Sequence, residues 1–466
     1  MIIRTVVAAA LVAGTAAAQA PRAGEAAFRG LYKELVETNT TKSAGSCTLA
    51  AEQIAGRLKA AGYADADLNL FSVPEAPKEG GLVAVLPGKD PKAKPLLLLA
   101  HIDVVEARRE DWQRDPFTLI EEGGFFYARG ASDDKAMAAI FADTMIRLKA
   151  AKAPPLRTVK LALTCGEETN GAFNGAEWLA ANKRDLIDAA FAINEGGGGR
   201  LSPDGARQLV AMQVGEKASQ NYTLEATNPG GHSSMPRPDN AIYQLADAIQ
   251  KIRANAFPVT LTPTTRSYFE TMGRASPPPG GPAMLALTRN PRDEAAVATL
   301  AQDPTLNATM RTTCVATLLD AGHAENALPQ RARANINCRI LPGESIEGTR
   351  ATLERVIADP GVKVIAKPAR GPVALPPPLD PAVIGPAKAL AAKMYPGVPF
   401  TLIQSTGASD AIFLAAAGIP TYGVPGILYE SDGGGIHGLN ERIRVKSVLD
   451  GRDYLHALVR IYADAR

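Results

Sequence analysis

Cysteine, net charge and long apolar runs are all scarce in this sequence, and each scarcity excludes something. Four cysteines stand among 466 residues, at positions 47, 165, 314 and 338, too few and too scattered for a disulfide scaffold. None forms a C-x-x-C pair, which argues against a structural zinc knuckle. Cys165 lies in an apolar run and is expected in the core. Cys314 and Cys338 flank the turn from Ala321 to Gln330, so they could face each other across a hairpin, and an oxidising compartment would permit a bond. A formal net charge of +2 without a Lys/Arg stripe predicts no nucleic-acid partner. The apolar run from Thr5 to about Val12 is too short for a membrane span. Preceded by Arg4 and followed by Ala18-Gln19-Ala20, it reads as a signal peptide over 1–20, cleaved after Ala20. The expectation is therefore a periplasmic or secreted protein with no membrane anchor.

The length suggests two or three domains. Apolar strand patterns at Leu82 to Leu86, Leu97 to Ala100, Val159 to Thr164 and Ala189 to Ile193 alternate with helical ones at Asp134 to Ala150 and Ala176 to Ala181. That alternation predicts an α/β fold, a mainly parallel sheet with helices on both faces. The texture changes past Gln213. Tyr222, Leu224 and Ala226 alternate with polar residues, a strongly amphipathic helix covers Asn240 to Ile252, and two alternating strands follow near Thr312 to Leu319 and Arg331 to Ile340. The run Pro277 to Pro282 reads as an exposed loop, and Leu375 to Pro378 as a linker. Helix–strand alternation resumes from Pro381 to Val424. The expected organisation is a catalytic domain over 21–214 and 372–466, interrupted over 215–371 by a smaller α+β lid or dimerisation domain.

Polar residues gather where such a sheet builds its site, just past the carboxyl ends of strands. The run Leu97 to Ala100 ends in His101, Ile102, Asp103, and alternation points His101 and Asp103 the same way. Asp133 and Asp134 open a helical pattern, where acids also serve as caps. Thr164-Cys165-Gly166-Glu167-Glu168 and Ile193-Asn194-Glu195 followed by four glycines repeat the arrangement, and Gly433 to Gly438 encloses His437. Two histidines with several carboxylates and no cysteine cluster suit one or two borderline divalent ions such as Zn²⁺. A two-metal site needs a bridging ligand, which a carboxylate can be. Glu167 and Glu168 would supply one ligand and one general base from a single turn.

An ordered motif set spans nearly the whole chain: HIDVV at 101, ARGASDDK at 128, GEETNG at 166, NEGG at 194, GGHSS at 230, NCRILPG at 337 and GGGIHGLNE at 433. With it the sequence resembles the M20 peptidase family, the dinuclear zinc carboxypeptidases and amidohydrolases, and looks closest to carboxypeptidase S and its secreted N-acyl amino-acid hydrolase relatives. The resemblance implies two zinc ions per chain. His101, Asp133 and Glu195 would hold one; Asp133, Glu168 and His437 would hold the other, with Asp133 as bridge. Asp103 would buttress His101, and Glu167 would be the base. His232 matches the family's lid histidine, which helps stabilise the oxyanion, commonly from the other subunit of a dimer. Arg339 matches the arginine that holds a substrate carboxylate, and Asn326 and Gly407 fall in further pocket segments. His323 and His456 match no motif and read as a turn residue and part of the last helix. Ala128, Ala136 and Asn194 depart from common family residues without removing a ligand. The substrate implied is a peptide or N-acyl amino acid with a free carboxylate, and the partner a second copy of the chain through the inserted domain. The rivals are an aminopeptidase or dipeptidase on the same scaffold, and a binding protein that has lost catalysis.

Overall fold

Strands Leu96–His101 and Val159–Thr164 are buried at every position, because helices cover both faces of their sheet. Leu96, Leu98 and Ala100 join the core cluster on one face, and Leu97 and Leu99 join the cluster on the other, the period-two alternation of extended chain. Each fully buried leucine contributes about 1.5–3 kcal/mol of apolar transfer, so a polar residue inside this run would be costly. The computed structural model describes residues 21–465 apart from 152, 170–172, 370 and 374. The expected signal peptide over 1–20 lies outside the described residues, as do Asn170 and Gly171 of the GEETNG motif.

The large sheet runs in the order Leu68–Val73, Ala76–Leu86, Val159–Thr164, Leu96–His101, Phe191–Asn194, Thr421–Gly423, Arg207–Glu216, Phe400–Ser405, with Gly198–Leu201 paired to Arg207–Glu216. Its four central strands, Val159–Thr164 to Thr421–Gly423, are parallel. Their carboxyl ends therefore open at one edge of the sheet. Helices Glu25–Glu37, Cys47–Ala60, Lys135–Ala150, Pro381–Met394 and Val445–Asp464 fill one face; Gly175–Asn182 and Ala411–Ala416 fill the other.

A four-stranded antiparallel sheet, ordered Thr313–Ala321, Arg331–Ile340, Ala218–Thr227, Val362–Ala366, carries its own core against helices Ala241–Ala254 and Ile346–Ile357. Cys314 and Cys338 are directly opposite in register and form a disulfide. Four helices inside the expected insertion, Pro263–Ala275, Gly280–Arg289, Glu294–Leu300 and Pro304–Met310, do not join this small core. They pack instead on the far side of the large sheet, where Phe269, Met272, Leu287 and Met310 meet Leu209 and Ala211.

Two expectations are corrected here. Pro277 to Pro282 is not an exposed loop throughout: helix Gly280–Arg289 begins within it. Pro282 lies in the first turn, where no N–H is required, and Gly281 lets two helix ends meet, since a Cβ there would lie 2.1 Å from the Ser276 carbonyl oxygen. Cys165 is buried as expected, but it is also bonded to Cys47, 118 residues earlier. That bond ties the start of helix Cys47–Ala60 to the residue preceding the Gly166-Glu167-Glu168 turn.

Candidate metal centre

Five chain segments, the loop around His437 among them, bring candidate donors to the open edge of the parallel strands. His101 closes its strand, Glu195 follows strand Phe191–Asn194, Glu168 follows Val159–Thr164, and Asp133 precedes helix Lys135–Ala150. Asp134 occupies the cap position of that helix, yet its side chain makes no cap hydrogen bond, so the capping reading of this acidic pair gives way to the cluster. His101 Nε2 lies 3.1 Å from Asp133 Oδ1 and 3.8 Å from Glu195 Oε1. His437 Nε2 lies 3.2 Å from Asp133 Oδ2 and 2.8 Å from Glu168 Oε1. The two Asp133 oxygens thus face different histidines. His437 holds a positive φ of 58°, a conformation that histidine adopts more readily than most side chains.

Two triads result, His101–Asp133–Glu195 and Asp133–Glu168–His437, each with its donor atoms within 4.8 Å of one another. Their electrostatics demand positive charge. Burial, then Glu195, Asp410 and Glu168, push Glu167 up to about 10, against the downward pull of His101. Burial and the neighbouring acids likewise push Glu195 up to about 8. Hydrogen bonds from both histidines outweigh burial at Asp133 and hold it well below the usual carboxylate range, while those to Asp133 and Glu168 raise His437 to about 10. Imidazole with carboxylates is the donor chemistry of borderline divalent cations, and the crowded carboxylates supply the charge such cations balance. The residues fit a pair of them.

Asp103 stands against His101 and holds a second segment as well. His101 Nδ1 lies 3.1 Å from the Asp103 main-chain carbonyl oxygen and 3.6 Å from its carboxylate. The carboxylate also accepts the main-chain N–H groups of Glu167, at 3.3 Å, and Glu168, at 3.1 Å. It holds the turn that presents both glutamates.

Glu167 and Glu168 line a cleft of about 720 Å³ together with Arg339, Asp410 and His437. A smaller cavity of about 140 Å³ holds Asp133, Glu167, Glu168, Glu195 and His437. Gly407 lines neither, although Ala408 and Ser409 line both; its N–H donates to Ser405 Oγ at 3.0 Å. His232 and Asn326 are exposed neighbours on a two-stranded ribbon, Gly231–His232 paired with Ala327–Leu328, and Ser233 N–H donates to the Asn326 carbonyl at 3.1 Å. Neither lines the cleft or the cavity within this chain.

The family model described as peptidase family M20/M25/M40 matches residues 97–461. The chain belongs to that family. All five donors fall within the matched segment, and the M20 chain is a hydrolase of metallopeptidase and amidohydrolase type. It is 28% identical over 382 residues to the N-fatty-acyl-amino acid synthase/hydrolase of Homo sapiens, covering 80% of this chain and 75% of that one. It is 28% identical over 398 residues to a probable carboxypeptidase S-like protein of Dictyostelium discoideum, covering 80% and 72%. The M20 family metallo-carboxypeptidase Sso-CP2 of Sulfolobus solfataricus shares the fold, with a TM-score of 0.70 at 20% identity over 94% of this chain and 99% of that one.

Motif reading passed over three residues at the M20 site. Glu441 accepts Arg129 Nη1 at 2.7 Å and the main-chain N–H groups of Gly130, Ser132 and Asp133 at 3.0, 2.7 and 3.1 Å. It closes the motif around His437, the one signal that could have found it. Asp410 accepts Thr164 Oγ1 at 2.8 Å and Asn174 Nδ2 at 2.7 Å, and its loop was marked only as a pocket segment. Glu216 lines the smaller cavity, accepts Ser409 Oγ at 3.0 Å, and is pushed up by burial to about 8. It sits at a strand end with no motif around it.

Proposed function

We propose that this chain is a dinuclear zinc hydrolase that cleaves the amide bond next to a free-carboxylate amino acid, in a peptide or an N-acyl amino acid. The observation that carries this reading is the pair of donor triads sharing Asp133. His101, Asp133 and Glu195 would hold one ion, and Asp133, Glu168 and His437 the other. Bound there, divalent cations supply Lewis-acid polarisation of a carbonyl and make water acidic enough to attack near neutral pH. Glu167, in the cavity with the donors yet outside both triads, accepts the proton from the attacking water and delivers it to the departing amine. Arg339, in the same cleft, pairs with the substrate carboxylate through its planar fork.

Oxyanion stabilisation falls to His232. Because His232 is exposed and outside the cleft of its own chain, the reading assigns it to the site of a second copy. An exposed apolar edge supports such a homodimer: Leu318 and Leu319, on the outermost strand of the small sheet, are each 68% exposed. Asn326, beside His232, would enter the same composite site, and Gly407 would shape the loop of Ala408 and Ser409. Two disulfides support the reading of an exported, periplasmic or secreted protein. Among the described residues no helix is long and apolar enough to cross a membrane.

The deciding experiment strips the protein with chelator, restores zinc stepwise, and follows hydrolysis of N-acetyl amino acids and dipeptides. Activity should vanish, then return as zinc approaches two per chain. Full activity at one zinc would remove the bridging role of Asp133, and hydrolysis indifferent to chelator would remove the metal mechanism.

A further inference from the structure

Arg311 is only 6% exposed, yet among the described residues no carboxylate pairs with it. Its Nη1 donates to the Phe257 carbonyl at 2.9 Å, its buried Nε has no hydrogen-bond partner among the described residues, and burial lowers its pKa with no neighbouring acid to offset the shift. Buried charges are normally paired, because an unpaired one keeps its desolvation cost. Arg311 lines a cavity of about 510 Å³, a size at which small-molecule sites occur. That cavity shares no lining residue with the Arg339 cleft or the cavity of metal donors. It lies at the seam between the two cores. Arg311 stands where the chain leaves helix Pro304–Met310, packed on the large sheet, and enters strand Thr313–Ala321 of the small one. Lys217 Nζ, at the other crossing between the sheets, donates to the Arg311 carbonyl at 2.6 Å and fixes the backbone there. Facing Arg311, Phe257 belongs to the small core, while Val259 and Val297 pack against the helices on the large sheet.

We propose that this cavity binds a compact organic monocarboxylate, with the carboxylate on Arg311 and an apolar body against Phe257, Val259 and Val297. The proposal does not depend on the reaction assigned to the metal centre. Charge selects the ligand's sign: the lining carries two arginines, Arg311 and Arg292, against one acid, Glu294, a surplus of one positive charge that a monoanion cancels. Burial selects its direction. Arg311 and Phe257 are the buried lining residues, whereas Pro258, Arg292, Glu294 and Ala298 are exposed, so the anion lies at the floor and the body points to the mouth. A guanidinium presents its N–H groups as a planar fork that matches a carboxylate. A ligand amine would meet a buried cation, and a second carboxylate would meet Glu294 at the mouth. Inorganic phosphate would match the charge but leave the apolar walls unfilled.

The test titrates para-bromophenylacetate calorimetrically into the zinc-loaded chain carrying Arg339→Met, which removes that arginine's capture of carboxylates in the cleft. A single saturable site is expected. Adding Arg311→Met should weaken it about 10–100-fold, the loss of a charge-assisted pair. Ala298→Trp, at an exposed lining position, should close the cavity and abolish binding, and it decides the matter if Arg311→Met fails to fold. The neutral amide of the same shape should bind at least about tenfold more weakly, and inorganic phosphate should not compete. In crystals soaked with the probe, the anomalous signal of bromine should lie between Phe257 and Val297. Absence of saturable binding, equal binding of acid and amide, or competition by phosphate at the same concentration overturns the proposal. So does a bromine found elsewhere, or a site that neither Arg311→Met nor Ala298→Trp disturbs.

Discussion

Glu441 accepts the main-chain N–H of Asp133 at 3.1 Å, from the same loop that carries His437. One buried carboxylate thus fixes the backbone of the shared donor against the segment that supplies a second donor. Arg129 completes the link, pairing with Glu441 at 2.7 Å and donating to the Gly438 carbonyl at 2.8 Å. Replacing Glu441 by Gln would leave the buried Arg129 without its counter-charge, a loss worth roughly 3–5 kcal/mol, and would weaken the hold on Asp133. Groups that orient metal ligands typically contribute 10–100-fold in affinity. Calorimetric zinc titration should show at least one of the two sites weakened to about that extent in Glu441→Gln. Two sites of wild-type affinity would show that the clamp does not govern the donors.

Glu167→Gln should retain both zinc ions and lose about 10²–10⁴-fold in kcat, because Glu167 belongs to neither triad. Glu168→Gln should lose metal. Paired elemental analysis and turnover measurements distinguish them, and the reverse pattern would exchange the two roles.

His232→Ala should lower turnover by the equivalent of about 2.7–4 kcal/mol with zinc content unchanged. If His232 serves a neighbouring subunit, mixing this variant with Glu167→Gln should restore part of the rate through heterodimers with one intact composite site. A mixture that stays inactive despite demonstrated subunit exchange, or a monomer in sedimentation, would place His232 in its own chain.

His456 is held down to about 4 by burial, then by Arg147, Arg460 and Arg452, and its buried Nδ1 has no hydrogen-bond partner among the described residues. In the unfolded chain the imidazole titrates near its ordinary 6.5. Between these values the unfolded state binds the extra proton, so stability falls as pH drops through that window and is insensitive to this group above it. His456→Phe should therefore show a shallower loss of melting temperature from pH 6.5 to 4 than the wild type. Equal slopes would mean that His456 does not titrate with unfolding.

The parallel core and the five histidine and carboxylate side chains that cluster at its edge were legible in the sequence because they are local events. An apolar run long enough for a strand, ended abruptly by His101 or by Glu167-Glu168, announces both the element and its functional end. What the sequence left open depends on which distant segments touch. The Cys47–Cys165 bond joins residues 118 apart, a separation that carries no spacing signal. The helices from Pro263 to Met310 look local to the insertion, yet burying Phe269 and Leu287 against Leu209 attaches them to the large sheet. Asp103 was rightly set beside His101 by strand alternation, but only the folded loop turns its carboxylate to the glutamate N–H groups. Local pattern determined the residue types at each strand end. Long-range packing, which has to satisfy every buried polar group at once, decided which of them meet.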